Sequence, residues 1–192
     1  MEKSTGLTLI ELLVVMVLIA VLGTIAVPAY FSMTANNRIT GAVNALAATL
    51  SYARSEAVIR GEQVVVCPSA NGTACDNGGW QEGWIVFVDK DNNNAYDSSS
   101  DGNPIRVHGA IGSDVTMASS PSSGGGAVAP YIGFNRMGFA QPTFSGTVTT
   151  LNVVTCPPDK RTANARAVVI VPSGDVTTAA RDQSSGSAFT CL

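Results

Sequence analysis

Gly6-Leu7-Thr8-Leu9-Ile10-Glu11, running straight into the apolar residues 12–27 and then Pro28, is the stretch on which the fold turns. From Leu7 to Val27 there are 21 residues and one charge, Glu11. A helix needs roughly 20 apolar residues to cross a hydrocarbon core, so the first expectation is a membrane-inserted helix. A secretory signal peptide would place its small-residue cleavage site after the apolar run. Here the small residue in a junction position, Gly6, comes before it. A buried core helix would need a larger domain around it than the remaining chain supplies. A plain anchor leaves Glu11 unexplained, because a carboxylate in a bilayer is costly unless paired and is a functional candidate by default.

The 192 residues suit one such helix and one globular domain. Charged residues make up 13% of the chain and the net charge is −3, which gives no general attraction for nucleic acid. Gly, Ser, Thr, Ala and Val are abundant, the composition of a loop-rich β domain. The four cysteines, Cys67, Cys75, Cys156 and Cys191, form an even set behind a membrane-inserted helix, which points to disulfides in an oxidising compartment. Three pairings are possible. The favoured one joins Cys67–Cys75 across a short loop and Cys156–Cys191 at the C-terminus. A zinc site is disfavoured: there is no C-x-x-C, and His108 is the only histidine.

Beyond Pro28 the helical pattern resumes, so the proline should kink the helix rather than end it. Ile39, Val43, Leu46, Leu50, Ala53 and Ala57 recur at steps of four and three, one apolar stripe on a helix running to about Arg60, with Gly61 as its C-terminal cap. The period then changes. Residues 63–68, 83–89, 104–108, 131–135, 139–144, 146–156 and 165–171 read as strands. The runs 146–156 and 165–171 are expected to pair as a hairpin. The Pro/Ser/Gly-rich residues 119–126 are expected to be a surface loop.

Two constellations could carry chemistry. Asp89, Asp91, Asn93 and Asp97 have the spacing of calcium-loop positions 1, 3, 5 and 9, but Asn94 replaces the glycine at position six and Ser100 the final glutamate. A polar turn between strands is the favoured reading, since Asn and Asp stabilise turns through their own backbone. An enzyme is not indicated: there is no nucleophile elbow, phosphate loop or metal-ligand cluster, and His108 sits in a strand-like segment.

The motif Gly6-Leu7-Thr8-Leu9-Ile10-Glu11-Leu12-Leu13 resembles the class III signal of type IV prepilins and type II secretion pseudopilins. The resemblance implies cleavage by a prepilin peptidase between Gly6 and Leu7 and N-methylation of Leu7, which stands where the family most often has Phe or Met. It also implies that Glu11 pairs with the N-terminal amine of a neighbouring subunit during assembly. Tyr52-Ala-Arg-Ser-Glu-Ala-Val-Ile-Arg-Gly61 and the pattern Trp80-x-x-Gly83-Trp84-x-Val86-Phe87-x-Asp89 resemble the GspH/FimT subfamily.

The implied fold is α+β, a long kinked helix packed on a β-rich domain of two small sheets. The implied organisation is a leader over residues 1–6, a transmembrane and filament-core helix over 7–28, an amphipathic helix over 29–61, and a periplasmic or extracellular β-rich domain over 62–192. The implied role is that of a minor type IV pilin in an assembly-priming or tip complex, without a cofactor. The chain would be held in the bacterial inner membrane by a single pass and then enter a filament at the cell surface. Its partners would be other minor pilins, the major pilin, the peptidase and the inner-membrane assembly platform. Two alternatives follow from the same resemblance. One is a GspH-like pseudopilin of type II secretion. The other is a FimT-like DNA receptor in natural transformation, for which Lys160, Arg161, Arg166 and Arg181 are the phosphate-contact candidates. Asp159, Asp175 and Asp182 are interspersed among them, which favours ordinary surface charge.

Overall fold

A computed structural model describes residues 8–76, 79–112, 115–121, 131–141, 143–144, 147–148, 150–157, 165–180, 189 and 191. Helix α1 spans Leu9–Arg60 and runs on through position 28. The described residues fall into two compact units that divide between Asn37 and Arg38. In the first, Leu9–Val27 is long and apolar enough to cross a membrane, and none of it is buried.

In the second unit α1 changes character. Ile39, Val43, Leu46, Leu50, Ala53 and Ala57 are all buried, the stripe that their spacing predicts. The helix stops at Gly61, whose φ of +69° suits glycine and whose N–H donates to the Ala57 carbonyl at 3.0 Å.

Ten strands follow among the described residues: β1 Gln63–Pro68, β2 Trp84–Asp89, β3 Arg106–His108, β4 Thr116–Pro121, β5 Ile132–Phe134, β6 Thr143–Phe144, β7 Thr147–Val148, β8 Leu151–Cys156, β9 Arg166–Ile170 and β10 Val176–Ala179. They form two four-stranded antiparallel sheets, ordered β3-β2-β1-β5 and β10-β9-β8-β4, and a β6-β7 ribbon. This is the expected α+β fold with two small sheets.

The main core is the helix stripe against one face of each sheet. Val64, Val66, Trp84, Val86 and Phe134 come from the first sheet, and Leu151, Val153, Val168 and Ile170 from the second. Each sheet also has a second face to cover. Behind the first lie Val65, Cys67, Ile85 and Phe87, packed by Cys75, Tyr96 and Tyr131. Behind the second lie Val154, Cys156, Ala165 and Ala167, packed by Phe189 and Cys191. Strands β1, β2 and β8 are accordingly buried along their whole length. The chain covers those second faces with loops, and disulfides join Cys67 to Cys75 and Cys156 to Cys191.

Three expectations need correcting. Residues 119–121 are not loop but the end of β4, because Thr116–Pro121 pairs residue for residue with β8; Pro121 is tolerated as the last residue of an edge strand. The run 146–156 is not one strand: Thr147–Val148 pairs back on β6, and β8 begins only at Leu151. Strand β10 was not expected at all. It forms because Gly174, at φ +86°, turns the chain back onto β9.

Candidate functional site

The N-terminal site begins at the helix cap. Gly6 and Leu7 lie outside the described residues. The Glu11 N–H points to the Thr8 hydroxyl oxygen at 3.4 Å, and the Leu12 N–H donates to the Thr8 carbonyl at 3.3 Å. Thr8 is thus the N-cap, and Thr-x-x-Glu is the capping-box spacing, a signal readable from the sequence that the functional reading of Glu11 passed over. A carboxylate in the first turn is also favoured by the helix dipole. Glu11 is exposed in the stretch Leu9–Val27, whose large apolar side chains are themselves exposed, Leu9 at 83% and Leu13 at 52%. An isolated chain cannot bury that surface; a bilayer or other helices can.

The loop after β2 holds the calcium candidates. The Asp89 side chain, at the end of β2, is buried and accepts from the N–H groups of Asn93 and Asn94 at 3.2 and 2.8 Å and from the Gln63 amide at 2.9 Å. Burial pushes its carboxyl above the ordinary range, and the Asn94 and Asn93 N–H groups offset part of that. One carboxylate oxygen each of Asp89, Asp91 and Asp101 lie within 4.8 Å of one another. Asp97 is not in that group: its carboxylate accepts from the N–H and hydroxyl of Ser99, both at 2.8 Å, which hold its pKa below the ordinary value. Asp101 takes its place by folding back to accept the Lys90 and Asp97 N–H groups at 3.2 and 2.9 Å. Asn93 uses its oxygen on the Ala95 N–H at 2.6 Å. Asn92 and Asn94 take left-handed conformations at φ +58° and +62°, which asparagine tolerates better than most residues. The result is a chain of side-chain-closed turns. It sets Tyr96 edge-on against Phe87 at 5.1 Å and lets the Tyr96 hydroxyl donate to the Gly102 carbonyl at 2.8 Å. Gln63, which sequence reasoning missed, is a buried polar group supplied by β1, and Asp101, one residue beyond the final calcium-loop position, is a buried one supplied by the far end of the loop itself.

A second polar cluster joins α1 to both halves of the β domain. Arg54 Nε donates to the Gly138 carbonyl at 3.0 Å, and its terminal nitrogens to the Ser173 carbonyl at 3.1 Å and the Asp175 carboxylate at 2.9 Å. The Arg54 guanidinium, with the Ser173 hydroxyl, holds the Asp175 carboxyl below the usual range. A side chain at Gly174 would run into the Gly138 carbonyl, so the two turns touch under this clamp.

His108 stacks on Trp84 with ring centroids 4.1 Å apart and interplanar angle 13°, while the Trp84 indole N–H donates to Thr49 at 3.2 Å. These are packing roles. Arg166 is exposed at the start of β9; Lys160, Arg161 and Arg181 lie outside the described residues.

Two family models match the chain. One, described as type II transport protein GspH, covers residues 42–174. The other, the prokaryotic N-terminal methylation motif, covers residues 1–27. Two fimbrial proteins of Pseudomonas aeruginosa are 36% identical over 78 residues, which is 41% of this chain and 50% of each relative. The chain thus spans about half the length of the curated relatives it matches. Among solved structures, the type IV minor pilin FimU of P. aeruginosa superposes with a TM-score of 0.55 at 22% identity, covering 77% of this chain and 92% of that one. A second crystal form of FimU gives a TM-score of 0.51 at 23% identity over 73% and 91%. These structural likenesses carry the fold.

Proposed function

Because the chain belongs to the GspH family and carries the prokaryotic N-terminal methylation motif, we propose that it serves as a minor type IV pilin in the complex that primes a pilus and occupies its tip. At the coarser level it is a minor pilin or pseudopilin, a structural protein and not an enzyme. The observation that carries the proposal is the helix Leu9–Val27: a membrane-length apolar element, exposed all along, with its single carboxylate in the first turn.

Cleavage after Gly6 frees an ammonium on Leu7, which is then methylated. The helix holds the chain in the inner membrane with the β domain in the periplasm. Assembly replaces lipid around the helix by the helices of neighbouring subunits, and Glu11 pairs with a neighbour's amine. Two opposite charges that neutralise each other in a low-dielectric setting fix the axial position of one helix against the next. Other minor pilins, the major pilin, the peptidase and the assembly platform are the partners this requires. The fimbrial relatives support a pilus; the family's type II transport description supports a pseudopilus as the second reading.

Intact mass of the membrane-extracted chain should show loss of residues 1–6 and gain of one methyl group; an uncut N-terminus would end this reading. Glu11→Ala should be cleaved normally and stay in the membrane while its recovery in sheared filaments falls. In a strain lacking the chain, loss of surface pili with secretion intact supports the pilin; the reverse pattern supports the pseudopilin.

A further inference from the structure

Open strand edges invite pairing, and folded proteins cover, shorten or charge them. Among the described residues, three of the four edges of the two four-stranded sheets are managed. On β4, the outward Met117 N–H donates to the Gln81 side chain at 3.0 Å. On β5, Phe134 bridges to Ala140 and the Gly133 carbonyl accepts the Gln141 N–H at 2.7 Å. β3 is three residues long and carries Arg106, which lies over the Tyr52 ring at 5.1 Å. The fourth edge, β10, differs. Among the described residues none pairs with its outer side, and Thr177 and Thr178 are exposed.

The register shows which groups β10 presents. The Val171 N–H donates to the Asp175 carbonyl, so 171 and 175 face each other as a hydrogen-bonded pair. Such pairs alternate along an antiparallel ladder. Thr177 and Ala179 therefore bond inward to β9, while Val176 and Thr178 turn their N–H and C=O groups outward.

Beside this edge runs a groove of about 630 Å³ between β10 and α1, walled by Ser51, Ser55, Val58, Ile59 and Val176. Val58 is 53% and Ile59 78% exposed. The ion pair at its end is closed: Arg54 is taken up by Asp175 and two carbonyls, so the groove offers no spare charge.

We infer that the β10 edge and this groove take up an extended, uncharged, β-branched or apolar segment of a different filament subunit, which adds to the second sheet as a fifth strand. The backbone groups of Val176 and Thr178 give such a segment its hydrogen bonds, Val58 and Ile59 receive its alternate side chains, and the neutralised Arg54–Asp175 pair disfavours a charged one. A second copy of this chain fits less well. Two copies paired antiparallel through β10 are related by a twofold axis normal to the sheet, which sets helices lying on those sheets antiparallel. Subunits anchored in one membrane by an N-terminal helix enter with the same polarity. The inference rests on the filament role proposed above.

The test uses the full chain in cells that assemble filaments, with a photo-crosslinking amino acid at Ser55. The wild-type background should give a crosslink to a different subunit. Thr178→Pro deletes an outward N–H without touching the ladder and should lower the crosslink yield about tenfold, the cost of one hydrogen bond with its partner left unpaired. Thr178→Val keeps the N–H and should crosslink normally. Ile59→Glu alters only the groove wall and should lower the yield without any change in β10. All variants should retain both disulfides and the wild-type melting temperature, so that misfolding is read separately. Wild-type yield in both Thr178→Pro and Ile59→Glu, or a product with the mass of two copies of this chain, would overturn strand docking while leaving the filament role intact. Absence of the wild-type chain from filaments would overturn the filament role and this docking with it.

Discussion

Arg54 shows how much of this structure hangs on single side chains. It reaches a carbonyl 84 residues away and a carboxylate 121 residues away, and ties the helix to turns in both halves of the β domain. Hydrogen bonds to charged groups are worth about 1.5–3 kcal/mol each at best, less when half exposed, and here two carbonyls lose a partner together. Arg54→Ala should therefore cost about 1–3 kcal/mol in urea unfolding. Arg54→Lys should recover less than half, because an ammonium cannot span three acceptors with a fixed fork. The clamp also has a pH signature. A carboxylate whose folded-state pKa is depressed adds stability that is present above its unfolded value and lost as the pH falls through the folded one. Asp175 is such a group, with Arg54 as the main cause. Wild type should thus exceed Asp175→Asn in melting temperature at pH 7, and the gap should close as the pH falls through and below the ordinary carboxylate range. An equal gap throughout would mean that charge is not what Asp175 contributes. None of this was legible in advance. Arg54 was visible only as part of a family-like helix end, and nothing local links it to Asp175. The Thr8–Glu11 cap lies within four residues and was legible.

At the scale of elements, the two faces of α1 in the β-domain unit should respond very differently. Leu50 is fully buried in the main core and Ile59 is 78% exposed. Leu50→Ala should cost about 2–5 kcal/mol through lost burial and the cavity left behind. Ile59→Ala should stay within about 0.5 kcal/mol of wild type. Urea midpoints of the two variants decide this, and similar costs would mean that the stripe is not the contact face. The stripe was readable because helix periodicity is written into adjacent residues. Strands β1, β2 and β9 were readable as β-branched runs. Strand β10, Val-Thr-Thr-Ala, is too short and too polar to show a pattern, and it exists because β9 pairs with it. Strand β4 was hidden by its Ser and Pro residues, which a partner strand overrode. The Asp89 loop was legible as a turn. Which carboxylates converge in it was not, because Asp101 returns from the far end of the loop.

At the scale of the whole molecule, the chain faces a surface problem that its cysteines answer. Each four-stranded sheet buries one face under α1 and has a second apolar face that no helix among the described residues covers. The Cys67–Cys75 bond sits beside the loops over the first, and Cys156–Cys191 holds Cys191, next to Phe189, over the second. Cys156→Ser with Cys191→Ser should therefore cost about 2–5 kcal/mol and expose apolar surface that binds a hydrophobic dye. The same accounting locates the boundary of the folding unit. Pro28 marks the end of the membrane-length run, but among the described residues the buried positions begin at Ile39, and the contacts divide between Asn37 and Arg38. Every residue of the three core clusters lies after that division. A chain starting at Arg38 loses no member of the three core clusters. It should fold under oxidising conditions with both disulfides formed, remain soluble without detergent, and unfold in urea in a single transition. Its stability should lie within about 1 kcal/mol of the full chain in detergent, the range of changes that leave buried contacts alone. A much weaker or non-cooperative transition would show that the membrane half of α1 stabilises the β domain, and that anchoring and folding in this protein are one event.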